Sequence, residues 1–137
     1  MEISESVGEY LEALLVSEES GAPLARISWI AQHLGVSPPS AVEMLKKLQE
    51  WGYVTYEPRR GVELSEEGRA IARQIIRNHR LIEILMKETL NVNIDEGVVC
   101  GLEHHMNEKF TDALCTLLKH PRRCPHGNDI PKGNCCK

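Results

Sequence analysis

Val7, Leu11, Leu14 and Leu15 recur at i, i+4, i+7 and i+8, the spacing of one helical face, and predict an amphipathic helix over residues 4–18. Gly21-Ala22-Pro23 interrupts it. Ile27, Ile30, Ala31 and Leu34 give a short second helix ended by Gly35, and Val36 is expected to plug the turn that follows. Ser37 suits an N-cap and Pro38 the first helical position, so a third helix is expected to run to about Trp51, burying Ala41, Leu45 and Leu48. Gly52 closes it. Tyr53 to Tyr56 and Val62 to Leu64 then read as two strands joined by a turn over residues 57–61. Ser65 caps a long helix from about Glu66 to Leu90, with Glu66 and Glu67 favourably placed in its first turn. A loop over residues 91–95 leads, through Asp95 as a cap, into two further helices over about 96–107 and 108–119. After His120 the apolar periodicity stops and Pro, Gly, Arg and Cys take over. The expected fold is mainly α, with a winged helix-turn-helix at the N-terminal end.

Composition narrows the class without deciding it. The chain has 137 residues, 42% hydrophobic and 26% charged, and no apolar run approaches the ~20 residues of a membrane span. The acidic start lacks the features of a signal peptide, so a cytoplasmic location is expected, with no membrane partner. Five cysteines, an odd number, fit metal ligation or burial there better than disulfides. Cys115, among helical apolar positions, is expected to be a buried small hydrophobe.

The net charge of −4 argues against a constitutive nucleic-acid binder. Its distribution changes that picture. Residues 1–20 hold six Glu and no Lys or Arg, whereas residues 26–80 hold nine basic groups against six acidic ones, a balance of +3. Ala31, Gly35 and Val36 stand where a helix-turn-helix needs a small residue, a turn and an apolar plug. Ser37, Pro39, Ser40, Glu43 and Lys47 on the third helix would then face the major groove. Arg59 and Arg60 at the wing tip, with Arg26 ahead of the second helix, would meet the phosphate backbone or the minor groove. The acidic N-terminus wants cations, so a bound metal would relieve repulsion between its carboxylates and DNA phosphates.

Cys100, Glu103 and His104 sit at i, i+3 and i+4, on one helical face. Three side chains on one helix cap only one side of an ion, and Glu9 or Glu12 (themselves i, i+3) can supply the next donor. A mixed N, S and O set suits Fe(II), Mn(II), Co(II) or Ni(II) in five or six coordination better than closed tetrahedral zinc. His79 and Glu83, at i, i+4, can form a second site sharing Glu103 or Glu12 as a bridge. His105 points to another face and is expected to be exposed. Gly101 inside a helix costs ~1 kcal/mol relative to Ala, which close approach of another helix would explain. In the tail, Cys124 and His126 with one or both of Cys135 and Cys136 form a possible extra zinc or iron site.

With these residues in place, the chain resembles the diphtheria toxin repressor and manganese transport regulator family of metal-dependent repressors, over about residues 5–131. The resemblance rests on Glu9-Tyr10-Leu11-Glu12, Ala31 through Ser40, the wing, Asn78-His79-Arg80-Leu81 with Glu83, Cys100-x-x-Glu103-His104, and Gly127 to Pro131. It implies a winged helix-turn-helix DNA-binding domain over 1–70, a helical metal-binding and dimerisation domain over 71–120, and a Cys-rich tail over 121–137. It also implies a homodimer on double-stranded operator DNA, with two Fe(II) or Mn(II) per subunit and no organic cofactor. One site would use Glu9, Cys100, Glu103 and His104; the other Glu12, His79 and Glu103, with Glu83 a candidate. Iron-type members carry Met at the place of Glu9, and manganese-type members a carboxylate at the place of Cys100, so the chain mixes both patterns. Glu96 stands where iron-type members have His. The chain ends where longer members begin a third, SH3-like domain, which is expected to be missing. The expected function is a repressor, not an enzyme, that controls metal-uptake genes. The alternative is a winged-helix regulator whose thiols sense redox state.

Overall fold

In the computed structural model, which describes residues 3–136, the chain divides into two compact units with the boundary between Arg73 and Gln74. Met1, Glu2 and Lys137, the outermost residues of the first and last expected segments, lie outside the described residues.

In the first unit, the Ser4 side chain accepts from the Val7 amide and starts α1 (Glu5–Glu19), which buries Val7, Tyr10, Leu11, Leu14 and Leu15. Helix α2 (Ile27–Leu34) ends at Gly35 in the left-handed region, φ 69°. A residue with a Cβ is strained there, so the glycine sets the tight turn into α3 (Pro38–Glu50). Ile30 and Ala31 on α2, with Ala41, Leu45 and Leu48 on α3, are almost fully buried. Val36 is not the plug its position suggested; it is 36% exposed.

Strands β1 (Val54–Glu57) and β2 (Gly61–Leu64) pair antiparallel as the wing, with Val54 opposite Leu64 and Glu57 opposite Gly61. The segment ahead of α2 adds to its edge: the Ala25 amide donates to the Val62 carbonyl at 2.9 Å, and the Val62 amide to the Ala25 carbonyl at 2.8 Å. Ser65 accepts from the Gly68 amide at 3.0 Å and donates to the Gly52 carbonyl at 2.7 Å, so one hydroxyl caps α4 (Glu66–Ile84) and fastens it to the end of α3. A Cβ at Gly68 would run into the Tyr53 carbonyl oxygen. Arg69 grips Glu18 with two nitrogens, Nη2–Oε1 2.7 Å and Nε–Oε2 3.0 Å, joining α4 to the end of α1.

The long fourth helix departs from expectation at its end. It is α-helical to Ile84 and then widens into a π-helical turn, Leu85–Thr89, closed by the Leu90 amide on the Leu85 carbonyl. Two shorter helices follow, α5 (Glu96–Glu103), capped by Asp95, and α6 (Glu108–Leu117), capped by Asn107. The core of this second unit is Leu81, Ile82, Ile84, Val99, Leu114 and Cys115, and it includes Cys124 and Ile130 from the tail. Loss of periodicity after His120 therefore does not mean loss of structure. A turn closed by Gly127 N to Cys124 O and Cys124 N to Asn128 O, both 2.9 Å, satisfies its own backbone and presents the two apolar side chains inward. Asn134–Cys136 ends the described chain as a 3-10 turn.

Candidate metal centre and nucleic-acid interface

A buried polar network in the second unit positions the centre. Asn78 on α4 is 1% exposed. Its amide donates to the Glu103 carbonyl at 3.0 Å, and its oxygen accepts from Thr111 Oγ1 at 2.6 Å and Gln74 Nε2 at 3.0 Å. It therefore holds the last turn of α5 against α4 and α6. Glu103, 2% exposed, closes α5 there, and its carboxylate lies between two imidazoles: 3.2 Å from His79 Nδ1 and 3.7 Å from His104 Nε2.

Cys100, Glu103 and His104 stand together at the end of α5, with the Glu103 carboxylate reaching both His79 and His104. Helix α5 ends at Glu103, and His104, its C-cap, keeps right-handed helical angles, φ −78° and ψ −10°. The Cys100 and His104 donor atoms lie within 4.8 Å of one another, while Glu103 turns toward His79. His104 Nε2 is buried with no hydrogen-bond partner among the described residues. A buried imidazole nitrogen left without a partner, beside a buried carboxylate and a thiol, has the donor chemistry of a divalent cation site.

The other side of His79 is richer in carboxylates than the i, i+4 pair alone suggests. Nε2 lies 3.1 Å from Glu96 and 3.5 Å from Glu83, and the donor atoms of all three residues fall within 4.8 Å. Glu96 thus joins this group, although its sequence position argued against a literal transfer of the iron-type pattern. Burial pushes the Glu83 carboxyl up, but hydrogen bonds from His79 and Glu96 outweigh it and hold it below the usual range. Burial, and then the hydrogen bond with Glu83, raise Glu96.

The four tail residues do not form one site. Cys124 and His126 approach Glu83, with His126 Nδ1 3.1 Å from its carboxylate. Cys135 and Cys136 gather instead with Cys115 and His120. Cys115 is therefore buried, as expected, but is more than an apolar filler. Burial and hydrogen bonds with Cys136 and Cys135 push its thiol up to about 11. Burial raises Cys136 too, yet the Gly133 amide, His120 and the neighbouring thiols bring it down to about 6. The sequence signal that was available is the i, i+5 pair Cys115 and His120. The fit of Cys115 to the apolar face of α6 masks that signal. His105 is exposed, and a Cβ at Gly101 would meet nothing within 4 Å, so no close approach explains that glycine.

In the first unit, α1 carries Glu9 and Glu12. Arg26, Ser37, Pro39, Ser40, Glu43, Lys47, Arg59 and Arg60 are all exposed. Ser37 spends its hydroxyl on the cap, accepting from the Ser40 amide and donating to Ser40 Oγ at 2.8 Å, so Ser40 is the better placed of the two to donate outward. Arg59 turns the wing with φ 78°, and Arg60 pairs with Glu57 at 3.2 Å, an exposed bridge that costs little to break. A cleft of about 230 Å³ opens between Arg26–Ser28 and the wing residues Tyr56 to Gly61.

Comparison with known proteins now decides the family. Residues 2–62 match the iron dependent repressor N-terminal DNA binding domain, and residues 65–132 match the iron dependent repressor metal binding and dimerisation domain. The chain belongs to the iron-dependent repressor family. Among its relatives are an uncharacterized HTH-type transcriptional regulator of Methanocaldococcus jannaschii, 33% identical over 122 residues, covering 85% of this chain and 95% of the relative. The iron-dependent repressor IdeR of Mycobacterium tuberculosis is 31% identical over 132 residues, covering 95% of this chain and 57% of the relative. A manganese-dependent transcriptional repressor solved with manganese superposes with a TM-score of 0.83 at 28% identity, covering 93% of this chain and 59% of that one. The chain thus spans nearly all of the archaeal relative but little more than half of the named repressors. The thiol-sensing alternative finds no support among these relatives.

Proposed function

We propose that this member of the iron-dependent repressor family binds double-stranded operator DNA as a homodimer when loaded with Fe(II) or Mn(II), and so controls metal-uptake genes from the cytoplasm, without enzymatic activity. The observation that carries the reading is the partnerless buried nitrogen of His104 beside Glu103, within a unit whose family is described as metal binding.

Two ions per subunit are proposed. One would be held by Glu9, Cys100, Glu103 and His104, the other by Glu12, His79 and Glu103, with Glu83 and Glu96 completing the latter. A bound divalent cation supplies the positive charge that lets these acidic groups lie together. Glu103, presenting one oxygen to each imidazole, links the two sites. With Glu9 and Glu12 as donors, loading both sites would constrain the DNA-reading unit, and the six acidic residues among the first twenty would lose much of their repulsion for phosphate. Pro39, Ser40, Glu43 and Lys47 then address base edges in the major groove, while Arg26, Arg59 and Arg60 hold the backbone. Exposed apolar pairs at helical spacing, Val98 and Leu102 on α5 and Phe110 and Leu117 on α6, favour self-association through the second unit.

The deciding test is anaerobic titration of the purified chain with Fe(II), Mn(II), Co(II) and Zn(II), reading metal stoichiometry and DNA affinity together. Affinity for the operator should rise at least tenfold as two ions bind and collapse with chelator. DNA binding equally tight in the metal-free protein, or metal binding unchanged in Glu103→Ala, would sink the proposal.

A further inference from the structure

We infer that Cys115, His120, Cys135 and Cys136 form a four-coordinate zinc site that pins the C-terminal segment to α6, separate from the centre built around Glu103. Tetrahedral zinc with Zn–S of ~2.3 Å and Zn–N of ~2.05 Å sets its sulfurs about 3.8 Å apart and each sulfur about 3.6 Å from the nitrogen. Five of the six donor separations are close to those lengths. Cys115 Sγ to Cys136 Sγ is 3.6 Å and Cys135 Sγ to Cys136 Sγ is 3.7 Å. His120 Nδ1 lies 3.5 Å from Cys115 Sγ, 3.6 Å from Cys136 Sγ and 3.8 Å from Cys135 Sγ. The sixth separation, Cys115 Sγ to Cys135 Sγ, is under 4.8 Å, so the four donor atoms approach the corners of a tetrahedron. A disulfide would need its sulfurs at ~2.05 Å, and all five cysteines are free.

The surroundings are built around this arrangement. Lys119 and His120 both take positive φ, 66° and 52°, at the end of α6, and the His120 amide returns to the Cys115 carbonyl at 2.8 Å. Two consecutive side-chain-bearing residues in that region are costly, and the conformation delivers the imidazole to the thiols. Arg77, 2% exposed, donates from Nη2 to Cys135 Sγ at 3.2 Å and pairs through Nη1 with Asp112 at 2.8 Å. Three thiolates around one Zn(II) leave a net negative charge, and this guanidinium lies against it. Gly133 makes room for it, since a Cβ there would strike the guanidinium. Three thiolates and one imidazole form a soft, closed set that selects zinc over Mn(II) or Fe(II). The ion would therefore persist when the regulatory metal is withdrawn. Its role is structural, tying the residues after His120 to the helix that precedes them, and it does not depend on the regulatory reading.

The test uses the full chain carrying Cys100→Ser, so that the Glu103 centre contributes no thiolate signal, with Co(II) as the spectroscopic probe and Zn(II) as competitor. One tetrahedral Co(II) with thiolate charge-transfer absorption should bind per chain and be displaced by Zn(II). Adding Cys124→Ser should leave the band intact, while adding Cys135→Ser should remove roughly a third of it, since one of three thiolates is lost. On the unaltered protein, Zn(II) should slow alkylation of Cys135 and Cys136 together at least tenfold, a readout that needs no variant to fold. No thiolate band in Cys100→Ser, loss of the band with Cys124→Ser, or alkylation of Cys135 and Cys136 indifferent to zinc would overturn the inference. Failure of the regulatory proposal would show instead as metal-independent DNA binding, with this band unaffected.

Discussion

Replacing Asn78 with Leu keeps the side-chain branching and heavy-atom count and removes every polar atom. In the native chain the Asn78 amide donates to the carbonyls of Glu103 at 3.0 Å and Met106 at 3.4 Å, and its oxygen accepts from Thr111 and Gln74. Thr111 keeps a second bond to the Asn107 carbonyl at 3.0 Å, and Gln74 can turn toward water, so those two losses are small. The Glu103 carbonyl has no such recourse. It faces a residue 1% exposed, and Leu would strand it. Losing a net ~1 kcal/mol hydrogen bond and leaving a buried carbonyl unpaired for about 2 kcal/mol more gives roughly 3 kcal/mol of destabilisation. Urea denaturation of metal-free wild type and Asn78→Leu measures it directly. Thr111→Val should cost only ~1 kcal/mol, and the double variant should cost less than the sum, because both changes break one shared bond. A loss below 1 kcal/mol for Asn78→Leu, or strict additivity with Thr111→Val, would show that water satisfies the Glu103 carbonyl and that Asn78 does not position this turn.

The Glu18–Arg69 pair should leave a signature in pH. The hydrogen bond from Arg69 holds the Glu18 carboxyl below its ordinary 4.5, so its stabilisation is complete above that value and is lost as pH falls through the lowered folded-state value. The advantage of wild type over Glu18→Gln in thermal melts should therefore shrink steadily in acid and be constant near neutrality. Gly68→Ala should destabilise the first unit by roughly 2 kcal/mol, because the new methyl must displace the Tyr53 backbone, and urea denaturation would reveal it. On DNA, Lys47→Ala should weaken binding, and Arg59→Ala should do so similarly for every sequence while lowering the salt slope by ~1, as expected of a phosphate contact. Fluorescence anisotropy across a salt series checks both. Glu43→Ala should tighten non-specific binding in the same assay, since it removes an exposed negative charge from α3.

Much of the architecture was legible along the chain because its signals are local. Ser37, Ser65 and Asp95 cap helices where their side chains reach the next amides, Gly35 takes a positive φ, and the apolar periods of α1 and α3 end in buried Leu11, Leu14, Leu45 and Leu48. The donor types for a metal were equally visible, since Cys, His and Glu at three- and four-residue spacings advertise themselves. Helical spacing did not reveal where α5 stops, or that the Glu103 carboxylate lies between His79 and His104. Nor could it show that Glu96 joins His79 and Glu83, that Val36 faces solvent, or that a helix pitch widens after Ile84.

The cysteines draw the line most clearly. Composition alone gave an odd number of thiols, so at least one has to lie outside any disulfide. Which thiols meet depended on chain closure. Cys115 and Cys136 are 21 residues apart, and Cys124, which lies between them, goes instead to Glu83 and the apolar core. Local preference acts over one or two turns, whereas bringing such groups together requires the loop between them to find its own turns and buried side chains. Residue types and helix limits were thus written in the chain, and only packing chose the partners.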